Sequence, residues 1–300
     1  MVSGWSGTAD DGAAGIAGVG KVQTRQAGEW VNEEPLTKVR LMTFEPSDLS
    51  DLKIAKTLLE NPGLAAKITK FIGTPIEKGF EYLPANWNMK VGEITQAALF
   101  KAINVAVFTM KDASHEKASN TWHKLAVAAS GGIGGFFGLP AVAVELPIST
   151  TIMLRSIADI ARSEGEIISN TESQLACIEV FALGGQNKSD NAAESGYFAI
   201  RAVLARSVTE AAEYIVEKGL AEESAPALVR LLIIVAERFG IQVSEKVAAQ
   251  AIPVIGAAGG ALINTLFIDH FQNMAHGHFI VRRLERKYGK EIVEATYMTI

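Results

Sequence analysis

Two long segments of this chain carry no charged residue, and they restrict its fold more than any other feature of the sequence. Leu125–Val144 reads LAVAASGGIGGFFGLPAVAV, and Val247–Ile268 reads VAAQAIPVIGAAGGALINTLFI. Each is close to the roughly 20 residues that a helix needs to cross the core of a bilayer. Segments of this length and polarity belong either in the interior of a helical protein or in contact with a membrane.

Glycines recur in both charge-free segments at the G-x-x-x-G spacing, which lets two helix backbones approach closely. The pairs are Gly131 and Gly135, Gly134 and Gly138, and Gly256 and Gly260. Pro140 and Pro253 interrupt the segments and Pro147 closely follows the first, which suits buried helices and loops of a soluble bundle as well as it suits membrane contact. The sequence therefore predicts that these glycines contact other helices, a membrane or a partner protein.

The composition of the whole chain excludes several classes of protein. Charged residues make up 20% and hydrophobic residues 48% of the 300 positions, and the net charge is −5. An acidic chain with few charges lacks the basic surface that binds nucleic acid. The single cysteine, Cys177, excludes an intrachain disulfide and a zinc ribbon. We therefore expect a cytoplasmic protein rich in apolar helices that does not bind nucleic acid.

The chain divides into an arm and a folded body. Seven of the first 30 residues are glycine, and glycine loses more backbone freedom on ordering than any other residue. Residues 1–36 are predicted to be a flexible arm, and residues 37–300 a helical domain.

Helical patterns dominate the rest of the chain, and no run of residues alternates as a strand would. The pattern predicts a helix over Ala227–Phe239 that ends at Gly240, and a break near Pro253 or Gly256 in the second charge-free segment. Further helices are predicted at 141–163 and 171–183. The sequence thus predicts an all-α, compact multi-helix bundle.

A line of polar residues follows the first charge-free segment at helical spacing: Glu145, Ser149, Ser156, Asp159 and Ser163. It is predicted to face solvent or a partner, with Arg155 and Asp159 as an i,i+4 pair. Glu145 lies in an apolar neighbourhood, where a carboxylate needs a cationic partner. The candidates for that partner are Arg155, Arg201, Arg230 and Arg238.

The second charge-free segment also leads into polar residues. Asp269, Asn273 and His276 share one face of a helix, and Asp269 and His276 together with Glu145 could hold a metal ion. No H-E-x-x-H motif supports this, so we expect no metal and no cofactor. The favoured hypothesis is a buried polar network built from Glu145, Arg155, Asp159, Asp269 and His276.

Four cations crowd into six positions near the end of the chain: Arg282, Arg283, Arg286 and Lys287. Beside an apolar segment, such a cluster could contact lipid headgroups. Cations at the last turn of a helix also complement its dipole, and this second interpretation stays open.

Sequence motifs of common enzymes are absent. There is no G-x-S-x-G nucleophile motif, and the glycine-rich stretch at 131–138 is not followed by the Lys-Ser/Thr of a phosphate-binding loop. Cys177 lies in the apolar stretch LACIEVFAL and is predicted to be buried.

Several long stretches resemble the EcsC family of bacterial proteins. They are GGIGGFFGLPAVAVELPISTTIMLRSIADIARSEGE, QLACIEVFALGG, AESGYFAIRAVLA and ERFGIQVSEKVAAQAIPVIGAAGGALINTLFIDHFQNMAHGHFIVRRLERKYG. The resemblance covers about Leu83 to Tyr288, and the glycine-rich arm departs from it. The family is named for an open reading frame beside an ABC-transporter operon linked to protein secretion. The resemblance implies a bacterial, all-helical protein on the cytoplasmic side of the membrane.

Three functions are consistent with these patterns. The first is a non-enzymatic helical protein that associates with the inner membrane, peripherally or integrally, or with a membrane transport or secretion complex. The second is a metal-dependent hydrolase with a buried Glu/Asp/His centre. The third is a soluble carrier of a lipid or another apolar ligand. The sequence indicates neither a substrate nor an oligomeric state.

Overall fold

A computed structural model describes residues 44–60, 63–109, 139–185, 196–218, 226–252 and 256–300 of the chain. Within these ranges the protein is all α-helical, with ten α-helices, one short 3-10 helix and no strand. The predicted all-α bundle is confirmed. The predicted arm, Gly131, Gly135 and Gly138 lie outside the described residues.

The helices follow one another through the described ranges and are labelled here in chain order. They are α1 (Pro46–Glu60), α2 (Leu64–Ile72), α3 (Glu77–Phe80), α4 (Trp87–Thr109), α5 (Leu139–Ser163), α6 (Thr171–Glu179), α7 (Gly196–Lys218), α8 (Pro226–Ala251), α9 (Gly256–Tyr288) and α10 (Lys290–Thr299). The 3-10 helix Val180–Ala182 continues α6 and ends before Gly184, whose φ of 75° is the left-handed conformation that glycine adopts freely.

Helix α9 forms the centre of the bundle. Its 33 residues span about 50 Å, and it packs against α1, α2, α5, α8 and α10. Phe267, Phe271 and Phe279 of α9 are fully buried. Phe271 also contacts the rings of Phe181 and Phe239, with centroids 5.4 Å apart in both cases. A helix surrounded in this way must carry its polar side chains into the protein interior.

Helices α5 and α9 lie side by side and run in the same direction. Glu145 of α5 contacts Asn264 of α9, and eleven residues further along α5, Ser156 contacts Gln272. The second contact lies closer to the carboxyl end than the first on both helices, so the two helices are parallel. This register decides which polar residues of the two helices can meet.

One sequence-based expectation about helix ends is wrong, and another is confirmed. Helix α8 does not end at Gly240 but continues to Ala251. A glycine inside a helix costs about 1 kcal/mol relative to alanine, and the burial of Phe239, Val243 and Val247 around it outweighs that cost. Pro147 lies inside α5, within the helix that the sequence predicted at 141–163. The break predicted near Pro253 or Gly256 is confirmed, because α8 ends at Ala251 and α9 begins at Gly256.

Close helix packing at glycine occurs at Gly277, which the sequence did not single out. A Cβ atom there would lie 2.6 Å from Leu59 Cγ and 3.1 Å from the Ala55 carbonyl oxygen, so α1 presses against the backbone of α9. Gly260 is buried two residues into the second turn of α9, where the sequence predicted a packing glycine.

None of the helices within the described ranges combines the length and the apolar character that a membrane span requires.

Candidate functional site

A buried ion pair joins the two charge-free segments. Lys246 Nζ donates to Glu145 Oε1 over 2.7 Å, and Asn264 Nδ2 donates to the same oxygen over 3.2 Å. The side chains are 0% exposed at Lys246 and 5% exposed at Glu145. Lys246 Nζ also lies 4.9 Å from the centre of the Phe267 ring, where the ring face attracts a cation. We call Glu145, Lys246 and Asn264 the buried centre.

The expectation that an arginine would pair with Glu145 is wrong. Arg201 instead binds Glu285, and Arg230 binds Glu210. The partner, Lys246, directly precedes the charge-free segment that starts at Val247, just as Glu145 directly follows the one that ends at Val144. Opposite charges at the borders of the two apolar segments were the signal that could have identified this pair.

The five residues predicted to form one polar network do not form one centre. Asp269 and His276 lie five and twelve residues beyond Asn264, which is about 7 and 18 Å along α9. Arg155 and Asp159 are separated from Glu145 by about 15 and 21 Å along α5 by the same rise. The parallel register therefore places Asp159 at the level of His276, about three turns away from the buried centre.

The polar line of α5 is buried over its first part, from Glu145 to Ser156, and meets solvent only at its end. Ser149 and Ser156 are both fully buried, and Gln272 Nε2 donates to Ser156 Oγ over 2.8 Å. Only the last part of the line is partly open, where Asp159 and Arg162 form an ion pair at i,i+3. The line, predicted to face solvent or a partner, therefore packs inside the protein at Ser149 and Ser156 and faces solvent at Ser163.

All four cations near the end of α9 bind carboxylates of other helices and loops. Arg282 and Arg286 both bind Glu166, in the link between α5 and α6, and Arg282 also reaches Glu172. The other two bind acids around α1: Arg283 binds Asp51 and also Glu164, and Lys287 binds Asp48 and Glu45. Burial alone would raise the pKa of Glu166, but hydrogen bonds from Arg282 and Ser173 outweigh it and lower that pKa.

These pairs give the basic cluster an intramolecular role. The lipid-headgroup interpretation requires cations that are free to bind phosphate, whereas these four connect α9 to α1 and to the α5–α6 link. We call this region the ion-paired end of α9.

A cavity of 270 Å³ lies beside the ion-paired end, and charged side chains dominate its wall. Its lining residues are Gly165, Glu166, Ile167, Asn170, Glu172, Ser173, Arg282, Glu285, Arg286 and Lys290. A wall of three cations and three carboxylates does not suit a lipid chain. The carrier hypothesis gains no support from this cavity.

Behind the cavity lies a buried polar chain that the sequence did not indicate. Arg201 binds Glu285 with two hydrogen bonds of 2.6 and 2.9 Å and donates to Tyr197 Oη over 3.3 Å. The Tyr197 hydroxyl lies 3.0 Å from His278 Nδ1, and the other ring nitrogen of His278 lies 3.7 Å from Glu179. Burial lowers the pKa of His278 well below its usual value and raises that of Glu179.

The lowered pKa keeps His278 uncharged near neutral pH. The hydrogen bond between the Tyr197 hydroxyl and His278 Nδ1 is a buried contact that links α7 to α9. No group of three or more His, Cys, Asp or Glu side chains within the described ranges is placed to hold a metal ion. Asp269 and His276, the weak metal candidates, belong to no such group.

Apolar side chains are exposed at the opposite end of α9 from the ion pairs. Val144 is 69% exposed and Ile148 is 49% exposed, one turn apart on α5, and Leu262 of α9 is 46% exposed. Val144 and Leu262 lie one and two residues from the members of the Glu145–Asn264 contact, so they flank the buried centre. We call Val144, Ile148 and Leu262 the apolar end.

The comparisons with known proteins identify one family. The model of the EcsC protein family matches residues 52–284, which include the buried centre and, of the ion-paired end, Arg282 and Arg283. No curated protein and no solved structure matches the chain. Because the family match covers most of the 300 residues, the chain belongs to the EcsC protein family.

Proposed function

We propose that this protein is a non-enzymatic bacterial helical protein that associates, from the cytoplasmic side, with the membrane or with a membrane transport or secretion complex. The observation that carries the proposal is the apolar end: Val144, Ile148 and Leu262 expose large apolar side chains around a buried ion pair. Neighbouring exposed apolar residues of this kind mark surfaces that bind a partner or a membrane.

The buried centre supports a structural role more than a catalytic one. Both charges are paired and covered, so a substrate would have to separate Lys246 from Glu145 to reach either of them. Breaking a buried pair leaves a charge without a partner and is strongly unfavourable. The centre instead fixes α5, α8 and α9 relative to one another and so holds the apolar end in shape.

Fractionation of cells that express the full chain tests the proposal. We expect the protein in the membrane fraction, and a carbonate wash separates integral from peripheral attachment. The double variant Val144→Asp, Ile148→Asp is expected to reduce the share of the protein in the membrane fraction. Val216→Asp is the matched control, because Val216 of α7 is 78% exposed and lies far from the apolar end in sequence.

The result that contradicts the proposal is a wild-type protein found entirely in the soluble fraction. Equal release by Val144→Asp, Ile148→Asp and by Val216→Asp would also contradict it, since any exposed charge would then have the same effect.

A further inference from the structure

Large apolar side chains are also exposed on the residues that connect α2 to α4. Phe71 at the end of α2, Tyr82 after α3 and Met89 in the first turn of α4 are 48%, 59% and 63% exposed. They fall within residues 70–93, which we call the connecting platform. These three large side chains lie within 19 residues of one another in the chain, and exposed apolar side chains are the groups by which a surface binds a membrane or a partner.

The connecting platform is held rigidly against the last turns of α8. A Cβ atom on Gly79 would lie 2.0 Å from the carbonyl oxygen of Ala248, so α3 touches the backbone of α8. Ile76 is buried beneath the platform, and the rings of Phe80 and Trp87 stack with centroids 4.9 Å apart. The exposed side chains therefore project from a fixed surface, two residues along α8 from Lys246 of the buried centre.

The charges on the connecting platform are balanced. Six charged side chains are exposed there, and none of them forms an ion pair with another residue in the described ranges: Lys70, Lys78 and Lys90, and Glu77, Glu81 and Glu93. This contrasts with the ion-paired end of α9, where every cation is bound by a carboxylate. Three free ammonium groups and three free carboxylates complement a surface that also presents both signs of charge.

We infer that the connecting platform binds the interfacial region of a zwitterionic phospholipid bilayer, with Phe71, Tyr82 and Met89 inserted among the headgroups. Tyrosine suits this depth because its ring is apolar and its hydroxyl remains hydrated. Lysine stems can cover apolar surface while the ammonium reaches a lipid phosphate, and the glutamates can accept hydrogen bonds from the headgroup ammonium of phosphatidylethanolamine. This inference rests on the proposed function and names its lipid contact.

Vesicle cosedimentation of the purified full chain tests the inference. The probes are vesicles of phosphatidylethanolamine with phosphatidylcholine, and the same vesicles with added phosphatidylglycerol. We expect binding to both, with little change when salt is raised, because charge attraction to an anionic surface is not the driving force. Met89→Glu and Tyr82→Glu are each expected to weaken binding at least about tenfold, because they replace inserted apolar surface by charge.

Val216→Glu again provides the matched control and is expected to bind as the wild type does. Since all three positions are exposed, circular dichroism should show unchanged folding in every variant. The inference is overturned by no binding to either vesicle, by binding that needs phosphatidylglycerol and disappears in salt, or by Met89→Glu and Tyr82→Glu binding as tightly as wild type.

The two proposals fail in different ways. A chain that stays in the cell membrane fraction through Val144 and Ile148, yet ignores protein-free vesicles, supports the proposed function and overturns the lipid contact in favour of a protein partner. A chain that is soluble in cells contradicts the proposed function itself.

Discussion

The two ends of helix α9 are stabilised by charge in opposite ways. At the amino end, one ion pair between Lys246 and Glu145 is covered by apolar side chains. At the carboxyl end, four cations share carboxylates from α1 and the α5–α6 link near the surface. Water screens the charges at the carboxyl end but not the buried pair. Loss of one partner should therefore cost more free energy of unfolding at the buried pair than at an ion pair near the surface.

This contrast predicts that the largest loss of stability follows from breaking the buried pair. Lys246→Met leaves the Glu145 carboxylate buried without its cation, which costs about 3–5 kcal/mol of the free energy of unfolding. Urea denaturation measures this loss. The double variant Glu145→Leu, Lys246→Met serves as the control and should be more stable than Lys246→Met alone, because no charge is stranded. Equal stability of the single and double variants would show that the pair contributes nothing specific.

The close backbone contact beside the buried centre gives the next effect. Gly79→Ala places a methyl group within 2.0 Å of the Ala248 carbonyl oxygen, so α3 must move away from α8, at a cost of about 1–3 kcal/mol. Gly92→Ala is the control, since its Cβ would meet nothing within 4 Å and alanine is the better helix former by up to about 1 kcal/mol. A Gly79→Ala variant as stable as Gly92→Ala would mean that the contact is loose. The urea denaturation midpoints of the two variants measure this difference in stability.

Acid titration separates the interior of α9 from its ion-paired end. Burial lowers the pKa of His270 from 6.5 to about 3, so the unfolded chain takes up a proton that the folded chain refuses. Protonation of His270 in the unfolded chain therefore lowers the free energy of unfolding as the pH falls below 6.5. The loss is about 2 kcal/mol at about pH 5. Glu166, whose pKa is lowered, loses its contribution only as the pH falls below its ordinary value of 4.5.

The measurement is thermal unfolding of the wild type and of His270→Leu between neutral pH and pH 5. Glu245 has a pKa raised to about 7 by burial and acts in the opposite sense, and His278 acts in the same sense as His270. The melting temperature of His270→Leu relative to that of the wild type therefore isolates the effect of His270. This relative value should rise as the pH falls, because only the wild type loses stability through His270. A constant difference would contradict the predicted acid sensitivity.

The smallest effect is expected at the ion-paired end. Arg283→Ala removes the pairs with Asp51 and Glu164, which are partly open to water, and should cost less than about 1 kcal/mol. High salt should reduce the loss further, because it screens charges near the surface. Comparison of Arg283→Ala with Lys246→Met in low and high salt tests the contrast between the two ends directly. A large loss of stability in Arg283→Ala that does not change with salt would contradict the contrast between the two ends.

Local sequence determined much of this protein. The periodicity of apolar residues and the glycine and proline stops identified the all-α fold and the break between α8 and α9, because these signals act within a few residues. The same signals failed at Gly240, where burial against neighbouring helices outweighs the local preference.

Only the tertiary structure decided which polar groups meet. The sequence marked Glu145 as a carboxylate in need of a partner, but the partner lies 101 residues away on α8 and is a lysine. It also grouped Glu145 with Asp269 and His276, whereas the parallel register of α5 and α9 separates them along the helix axis. The basic cluster showed its role only when α1 and the α5–α6 link brought carboxylates to it. Pairing of distant charges depends on helix direction and register, and a linear pattern contains neither.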